Sequence, residues 1–210
     1  EKQGDKYVPG RMLRASDFAD GLGESNNPDW KTVAYDETTG QIMVPNGSIG
    51  FRWGEQGKWN IVPRDSKTGK DAKLQLTLKD KQDEILPVAF PYFGNDVHEH
   101  GYFEPNKQDH VLIRSVPVKK LKLKSGEVAV ASVFDLMCAN YGIDRGFGGG
   151  NVAKSYADNV PYTPVWQQNI TGVDPEQVIA VARAFADNAE KTNGKSMIII
   201  GAAMNHWYHM

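Results

Sequence analysis

Residues 174–201, DPEQVIAVARAFADNAEKTNGKSMIIIG, combine the clearest helix start in the chain with its most apolar run. Asp174 is a typical N-cap, Pro175 stands at the first helical position and Gln177 at the third, as in a capping box. A stripe with helical spacing follows and consists of Val178, Val181, Ala182, Phe185 and Ala189. Gly194 predicts the helix end. Residues 197–200 are wholly apolar, which is typical of a strand buried on both faces of a parallel sheet. One strand cannot form such a sheet, so this unit predicts partners outside the chain.

Two shorter helices are predicted upstream of this unit. Ser132 is a typical cap for a helix that ends at Gly142, and Thr163 followed by Pro164 predicts a helix that closes at Gly172. The residues predicted to share the apolar face of the first helix are Phe134, Met137, Cys138 and Tyr141.

The sequence before residue 132 changes to strands and turns. Residues 73–78 alternate between polar and apolar side chains, which predicts a half-buried strand. Residues 85–93 are apolar but contain Pro87 and Pro91, so they predict an edge strand or an extended segment. The other extended segments predicted here are residues 30–35 and 41–44 (a hairpin), 48–53, 59–62, 111–113, 118–123 and 127–131.

These patterns together predict a mixed α+β fold in three parts. Residues 1–29 form a turn-rich lead with one short helix at 17–20, capped by Ser16. Residues 30–131 form a β-rich, antiparallel insertion. Residues 132–210 form a helical segment that ends in the buried strand and a turn, and this helix–strand unit is expected to belong to an α/β sheet of a larger parent protein.

Composition excludes several classes of protein. The 210 residues carry a net charge of −2, which gives no bulk attraction to nucleic acid. Cys138 is the single cysteine, so these residues cannot supply a multi-cysteine metal or iron–sulfur site. No apolar run reaches 18 residues, the length of a membrane-spanning helix. The chain starts at Glu1 without an initiator Met, and we expect it to be a piece of a longer protein.

Most candidate sites have a simpler structural interpretation. His98 and His100 could share one face of a strand and bind a metal weakly, but a solvated loop explains them as well. The glycine-rich stretch 146–150 lacks the Lys-Ser/Thr of a P-loop and predicts a flexible surface loop. Cys138 has no basic partner and is expected to be buried. Ser155 and Asp158 lack the elbow motif of serine hydrolases. We therefore predict no catalytic residue and no metal ligand in this chain.

The turn after the apolar run is the exception. In open α/β sheets, ligands bind at the carboxyl ends of the strands. Gly201, Asn205 and His206 follow residues 197–200 directly and would face such a crevice. The alternative is that the aromatic residues here only pack against a neighbouring element.

Five segments carry a specific resemblance, in collinear order. They are GRMLRA at 10–15, NGSIGFRWG at 46–54, YTPVW with ITGV at 162–173, SMIIIG at 196–201 and NHWYH at 205–209. The chain resembles an internal fragment of the alpha, or catalytic, subunit of membrane-bound respiratory nitrate reductases, in the molybdopterin oxidoreductase (dimethyl-sulfoxide-reductase-like) family.

This resemblance implies an enzyme that reduces nitrate to nitrite in anaerobic respiration. It implies a molybdenum bis(molybdopterin guanine dinucleotide) centre and a 4Fe-4S cluster in the parent subunit, and neither in the isolated fragment. The implied partners are an iron–sulfur beta subunit and a haem b gamma subunit, on the cytoplasmic face of the cell membrane. The resemblance places His206, and less directly Asn205 and Gly201, against the pterin cofactor. The motifs that ligate the metals in the family are missing, so the fragment alone is expected to be inactive.

A second hypothesis remains open from the sequence. The chain could be a free-standing β-rich module for protein–protein contact, with an aromatic surface formed by Phe51, Trp53, Trp59, Phe90, Tyr92 and Phe93. A cysteine cluster upstream in the parent gene, with a glycine-rich stretch downstream, would favour the enzyme.

Overall fold

The computed structural model describes residues 1–46, 63–91 and 111–201. Within these ranges the fold is mixed α+β, as the sequence predicts. A sheet of five strands has the order β1-β2-β5-β6-β7, and β3 and β4 form a separate pair. The strands are β1 (Lys2–Gln3), β2 (Lys6–Tyr7), β3 (Ala34–Asp36), β4 (Gln41–Met43), β5 (Glu84–Pro91), β6 (Val111–Leu123) and β7 (Gly126–Val130). The helices are α1 (Val133–Asn140), α2 (Pro164–Thr171) and α3 (Pro175–Lys191).

The long antiparallel pair of β5 and β6 forms the centre of the sheet. Their register runs from Glu84 opposite Val118 to Pro91 opposite Val111. The expected strands at 111–113 and 118–123 are one continuous strand, β6, which includes Pro117. At Pro117 β6 is paired only on its β5 side, because β7 joins it from Lys119 onward. A proline is therefore tolerated at this position.

Strand β5 is not a simple edge strand. Its second side is covered by β2, but the register of that parallel contact is the single pair of Tyr7 and Val88. The prolines of β5 thus restrict pairing on this side without ending the strand.

The predicted hairpin in the β-rich part is confirmed, with shorter strands. Ala34 pairs with Met43 and Asp36 with Gln41. The short helix expected at 17–20 is wrong: two 3₁₀ turns, Ala15–Asp17 and Gly21–Gly23, stand there instead. Arg14, and not Ser16, precedes the first turn, and its amide donates to the Asp17 carboxylate. The segments 48–53 and 59–62 lie outside the described residues.

The strand expected at 73–78 is also wrong, because its backbone amides have other partners. The amide of Lys73 donates to the Asp36 carboxylate at 2.9 Å, and the amide of Leu78 donates to the Asp135 carboxylate at 2.7 Å. What remains of β pairing is an isolated bridge between Asp36 and Leu74. Polar and apolar side chains do alternate along the segment, but its backbone forms a β-bridge at one end only.

All three helix starts are confirmed by their caps. The hydroxyl of Ser132 accepts from the amide of Asp135, that of Thr163 from Trp166, and the Asp174 carboxylate from Glu176. The predicted apolar face of α1 is wrong in part. Asp135, Cys138 and Ala139 are buried, whereas three residues expected beside Cys138 are exposed, namely Phe134, Met137 and Tyr141. The helix turns its Asp135 side to the core because hydrogen-bond donors of the 73–78 segment lie there.

The core lies between β5, β6 and α1. It consists of Leu86, Val88, Phe90, Val116, Val118 and Ala139, with Tyr7, Ala131 and Leu136 packed against it. Helix α3 contributes no buried residue, and Val181 and Phe185 of its predicted stripe are exposed.

The buried strand predicted at 197–200 requires sheet neighbours from outside the chain, so its burial stays a prediction here. No strand forms there, and the exposed fractions of its four side chains lie between 61% and 80%. An interior strand needs neighbours on both sides, and the described residues provide none.

Candidate functional site

The predicted cofactor-facing turn begins at the last described residue, Gly201. Gly201 is exposed, and a Cβ built on it would meet no atom of the described residues within 4 Å. Asn205 and His206 lie outside the described residues, so the geometry of the predicted site stays a prediction.

The approach to this turn is fixed by the end of α3. The side-chain amide of Asn188 donates to the Ser196 hydroxyl at 2.9 Å, and that hydroxyl donates to the Phe185 carbonyl at 3.0 Å. The amide of Gly194 closes the helix on Ala189 at 2.6 Å. The apolar run therefore leaves the helix from a defined point, although its own side chains lack a described partner.

A buried charge cluster, which the sequence pattern does not predict, lies at the start of α1. The carboxylate of Asp135 has no exposed surface and pairs with Arg145. It also accepts hydrogen bonds from the Thr77 hydroxyl at 2.7 Å, the Leu78 amide at 2.7 Å and the Ser132 hydroxyl at 2.8 Å. The cluster joins α1, the 142–153 loop and the 73–78 segment.

The environment of Asp135 keeps it ionised. Burial by itself would raise the pKa of this carboxyl, but the hydrogen bonds from Arg145, Leu78, Thr77 and Ser132 together hold the pKa below its usual value. The Arg145 guanidinium lies 5.3 Å from the centre of the Phe134 ring and 5.6 Å from that of Phe147. Two aromatic rings therefore shield the ion pair and hold the cation in place.

Arg114 forms a second buried polar centre at the other end of α1. Its guanidinium donates to the carbonyls of Ala139 at 2.9 Å, Asn140 at 2.5 Å, Gly150 at 3.3 Å and Asn151 at 3.1 Å. Burial lowers the pKa of Arg114, and the nearby Tyr162 partly opposes this effect. In the described part of the chain no carboxylate pairs with Arg114. The dipoles of the four carbonyls therefore offset the cost of burying its charge.

The glycine-rich stretch 146–150 lies at the surface, as predicted, and its last two residues, Gly149 and Gly150, pack on β6. The amide of Gly150 donates to the Ile113 carbonyl at 2.8 Å. A Cβ on Gly149 would lie 2.8 Å from the Arg114 Cα, so only glycine allows the loop to approach β6 this closely. Gly149 and Gly150 therefore have a role in packing the loop on β6.

Both charged centres, Asp135 with Arg145 and Arg114 with its carbonyls, have a structural role. Each oxygen of Asp135 and most donors of Arg114 are engaged within the protein, which leaves no group free to attack, to transfer a proton or to bind an ion. One signal could have indicated the first centre. Ser132 with Asp135 three residues later has the spacing of a capping box, whose acidic member faces inward here.

The remaining candidates are accounted for as far as the structure extends. Cys138 is buried, as predicted. The Ser155 hydroxyl donates to Asp158 at 3.0 Å in a local turn. All five histidines lie outside the described residues. Among the described residues no cluster of three His, Cys, Asp or Glu side chains could hold a metal ion. Nor does any described helix combine the length and the apolar character needed to cross a membrane.

Comparison with known proteins gives matches over the whole chain. The chain is 54% identical over 211 residues to the respiratory nitrate reductase 1 alpha chain of Escherichia coli K12, which covers 100% of this chain. It is 56% identical over 205 residues to the respiratory nitrate reductase 2 alpha chain of the same organism, covering 97%. It is 40% identical over 208 residues to the nitrate reductase alpha chain of Bacillus subtilis 168, covering 99%.

These relatives are much longer than the chain, which spans 17% of the first and 16% of the other two. No protein-family model matches the chain.

Proposed function

Because this chain belongs to the nitrate reductase alpha-chain family, we propose that it is part of the catalytic subunit of a respiratory nitrate reductase. The observation that carries the proposal is the match of 54–56% identity over nearly every residue. The proposed activity is the reduction of nitrate to nitrite by the full alpha chain. The rival hypothesis, a free-standing interaction module, is not favoured, because the β-rich part and the helical part match the same relatives together.

The activity test uses the full-length alpha chain with its partner subunits. The purified complex should form nitrite from nitrate when a reduced viologen dye supplies the electrons. A complex that is assembled and metal-loaded but forms no nitrite would contradict the proposed function.

The described residues do not themselves fit a molybdenum or iron–sulfur site. Cys138 is buried in the core, Asp135 is fully engaged, and no described residue lies close to the Cβ position of Gly201. We therefore propose that the ligands of the molybdenum bis(molybdopterin guanine dinucleotide) centre and of the 4Fe-4S cluster belong to the rest of the subunit. Elemental analysis of the purified 210-residue chain tests this. Stoichiometric molybdenum or iron would contradict it.

For the pterin cofactor itself, the proposed contact is the turn from Gly201 to His206. The support is the position of the turn after an apolar run and the absence of any described residue close to the Cβ position of Gly201. An imidazole at this place can hydrogen-bond to a polar cofactor in one fixed tautomer.

The variant His206→Ala in the full-length enzyme tests this contact, with His209→Ala as the matched control. The first should lose most nitrate turnover or alter the molybdenum spectrum while the iron–sulfur signals persist, and the second should change neither. Equal behaviour of the two variants would contradict the proposed role of His206.

The proposed partners are an iron–sulfur beta subunit and a haem b gamma subunit, and the proposed location is the cytoplasmic face of the cell membrane. The support is family membership together with the alpha-chain names of the relatives, since a named alpha chain implies further subunits. Affinity purification of the tagged full-length alpha chain from membranes should recover both partners. Recovery of the alpha chain alone from the soluble fraction would contradict this.

A further inference from the structure

An open apolar groove runs along one side of the described structure. Its volume is about 520 Å³. Leu86, Val88 and Val118 form its floor and belong to the buried core. One of its walls is formed by Leu74, Gln75, Leu76 and Leu78, and the Leu78 amide bonds to Asp135 at the start of α1.

The wall at 74–78 exposes the apolar side of an alternating segment. Leu74, Leu76 and Leu78 are its apolar members, and all three line the groove. Leu78 is buried with 5% exposure, whereas Leu74 is 36% and Leu76 is 64% exposed. A period-2 pattern is typical of a strand with one covered face. Here that face lies beside the floor of the groove, but among the described residues nothing covers Leu76.

The backbone of the same segment has an unpaired stretch. The amide of Gln75 donates to the Tyr35 carbonyl at 2.8 Å, and the amide of Leu78 is held by Asp135. Between these two points, the Thr77 carbonyl accepts from the side-chain amide of Gln75 at 2.6 Å. No strand in the described part of the chain pairs with residues 76–77, so the open backbone positions are those of Leu76 and the Thr77 amide. An extended backbone with open pairing positions is a template for another strand.

We propose that an extended segment of the alpha chain, from outside these 210 residues, pairs with residues 74–78 and places its apolar side chains in the groove. The inference rests on the proposed function. It commits to the same polypeptide because the chain spans only 17% of its relative, so most of the alpha chain remains to cover this surface. A small apolar ligand would fill the groove but leave the backbone positions beside Leu76 unpaired. A strand would fill the groove with its side chains and also pair with the backbone beside Leu76, as in β-augmentation.

The test uses the full-length alpha chain in its complex, with Leu76→p-benzoylphenylalanine as a photo-crosslinking variant. Lys70, in an exposed turn that does not line the groove, carries the same probe in the matched control. After irradiation, mass spectrometry should identify a crosslink from position 76 to an alpha-chain peptide outside residues 1–210. The control should not capture that peptide. In the unmodified complex, amides of residues 76–77 should exchange hydrogen roughly tenfold or more slowly than those of the Lys70 turn.

Three outcomes would overturn the inference. They are a crosslink to a peptide within residues 1–210, a crosslink to another subunit, and fast exchange at 76–77 without any crosslink. Nitrite formation by the same preparation is measured separately, so an active enzyme with one of these outcomes refutes the groove assignment and leaves the proposed function standing.

Discussion

The buried carboxylate of Asp135 depends on one cation. Arg145→Met removes that cation and leaves the charge with neutral donors only, in a site without solvent. Breaking a buried pair from one side costs about 3–5 kcal/mol, and the three remaining hydrogen bonds reduce this to about 2–3 kcal/mol. Urea denaturation of the chain should therefore show a large loss in the free energy of unfolding.

The matched control is Lys154→Met, which removes the exposed ion pair between Lys154 and Asp144. Exposed pairs are screened by water, so this variant should unfold close to the parent chain. Similar losses in the two variants would mean that burial does not govern the Asp135 pair.

Asp36 makes a separate contribution to the free energy of unfolding, and this contribution depends on pH. Hydrogen bonds from the Thr39 hydroxyl and from the Lys73 amide, with those of Thr38 and Thr39, lower its pKa from 3.8 to about 2. A lowered pKa in the folded state stabilises the protein above pH 3.8, and this stabilisation is lost as the pH falls towards 2. Asp36→Asn should flatten the loss of stability over this interval in acid titrations followed by circular dichroism.

A second variant tests the cause of that shift. Thr39→Val removes the hydroxyl donor, so the pKa of Asp36 measured by NMR titration should move up towards its usual value. An unchanged acid titration in Asp36→Asn would contradict the assignment.

At the scale of elements, the packing of the 146–150 loop on β6 depends on a position that has no room for a Cβ. Gly149 has a φ of +117° and would place a Cβ 2.8 Å from the Arg114 Cα, whereas Gly148 has a φ of +77° and open space. Both Gly→Ala variants incur backbone strain, but only Gly149→Ala also clashes with main chain that cannot move aside. Gly149→Ala should cost about 1–3 kcal/mol more than Gly148→Ala in thermal unfolding. Equal costs would show that the loop does not pack on β6.

The elements that the sequence predicted well are those specified by local chemistry. Ser132, Thr163 and Asp174 cap their helices because each cap needs only the next turn of backbone. The irregular pairing of the 73–78 segment was not predictable in this way, because Asp36 and Asp135 bind its terminal amides and both are distant in sequence. The roles of Arg114 and Arg145 were not predictable for the same reason. Their partners come together only in the folded chain.

At the scale of the whole molecule, apolar side chains remain on the surface at the C-terminal side. Met197, Ile198 and Ile199 are 75–80% exposed, and Phe185 of α3 is 41% exposed. Exposed apolar runs with unpaired backbone favour association between chains. The purified 210-residue chain should therefore associate with increasing concentration in sedimentation equilibrium.

Substitution of one residue in the run should weaken that association. Ile199→Lys introduces a charge where a second chain would pack, and should shift the equilibrium towards monomer. Ala180→Lys, on the exposed side of α3 away from the predicted stripe, is the control and should not. A parent chain that stays monomeric at all concentrations would contradict the expectation.

The four carbonyls held by Arg114 have a consequence for cooperativity. One guanidinium connects β6, the last turn of α1 and both Gly150 and Asn151 of the loop. A local opening at the loop must therefore release the end of the helix at the same time, so the strand, helix and loop form a single unfolding unit. Lysine, with three donors on a point charge, could not hold four acceptors in this planar arrangement. The order of this whole region thus depends on the shape of one side chain as much as on its charge.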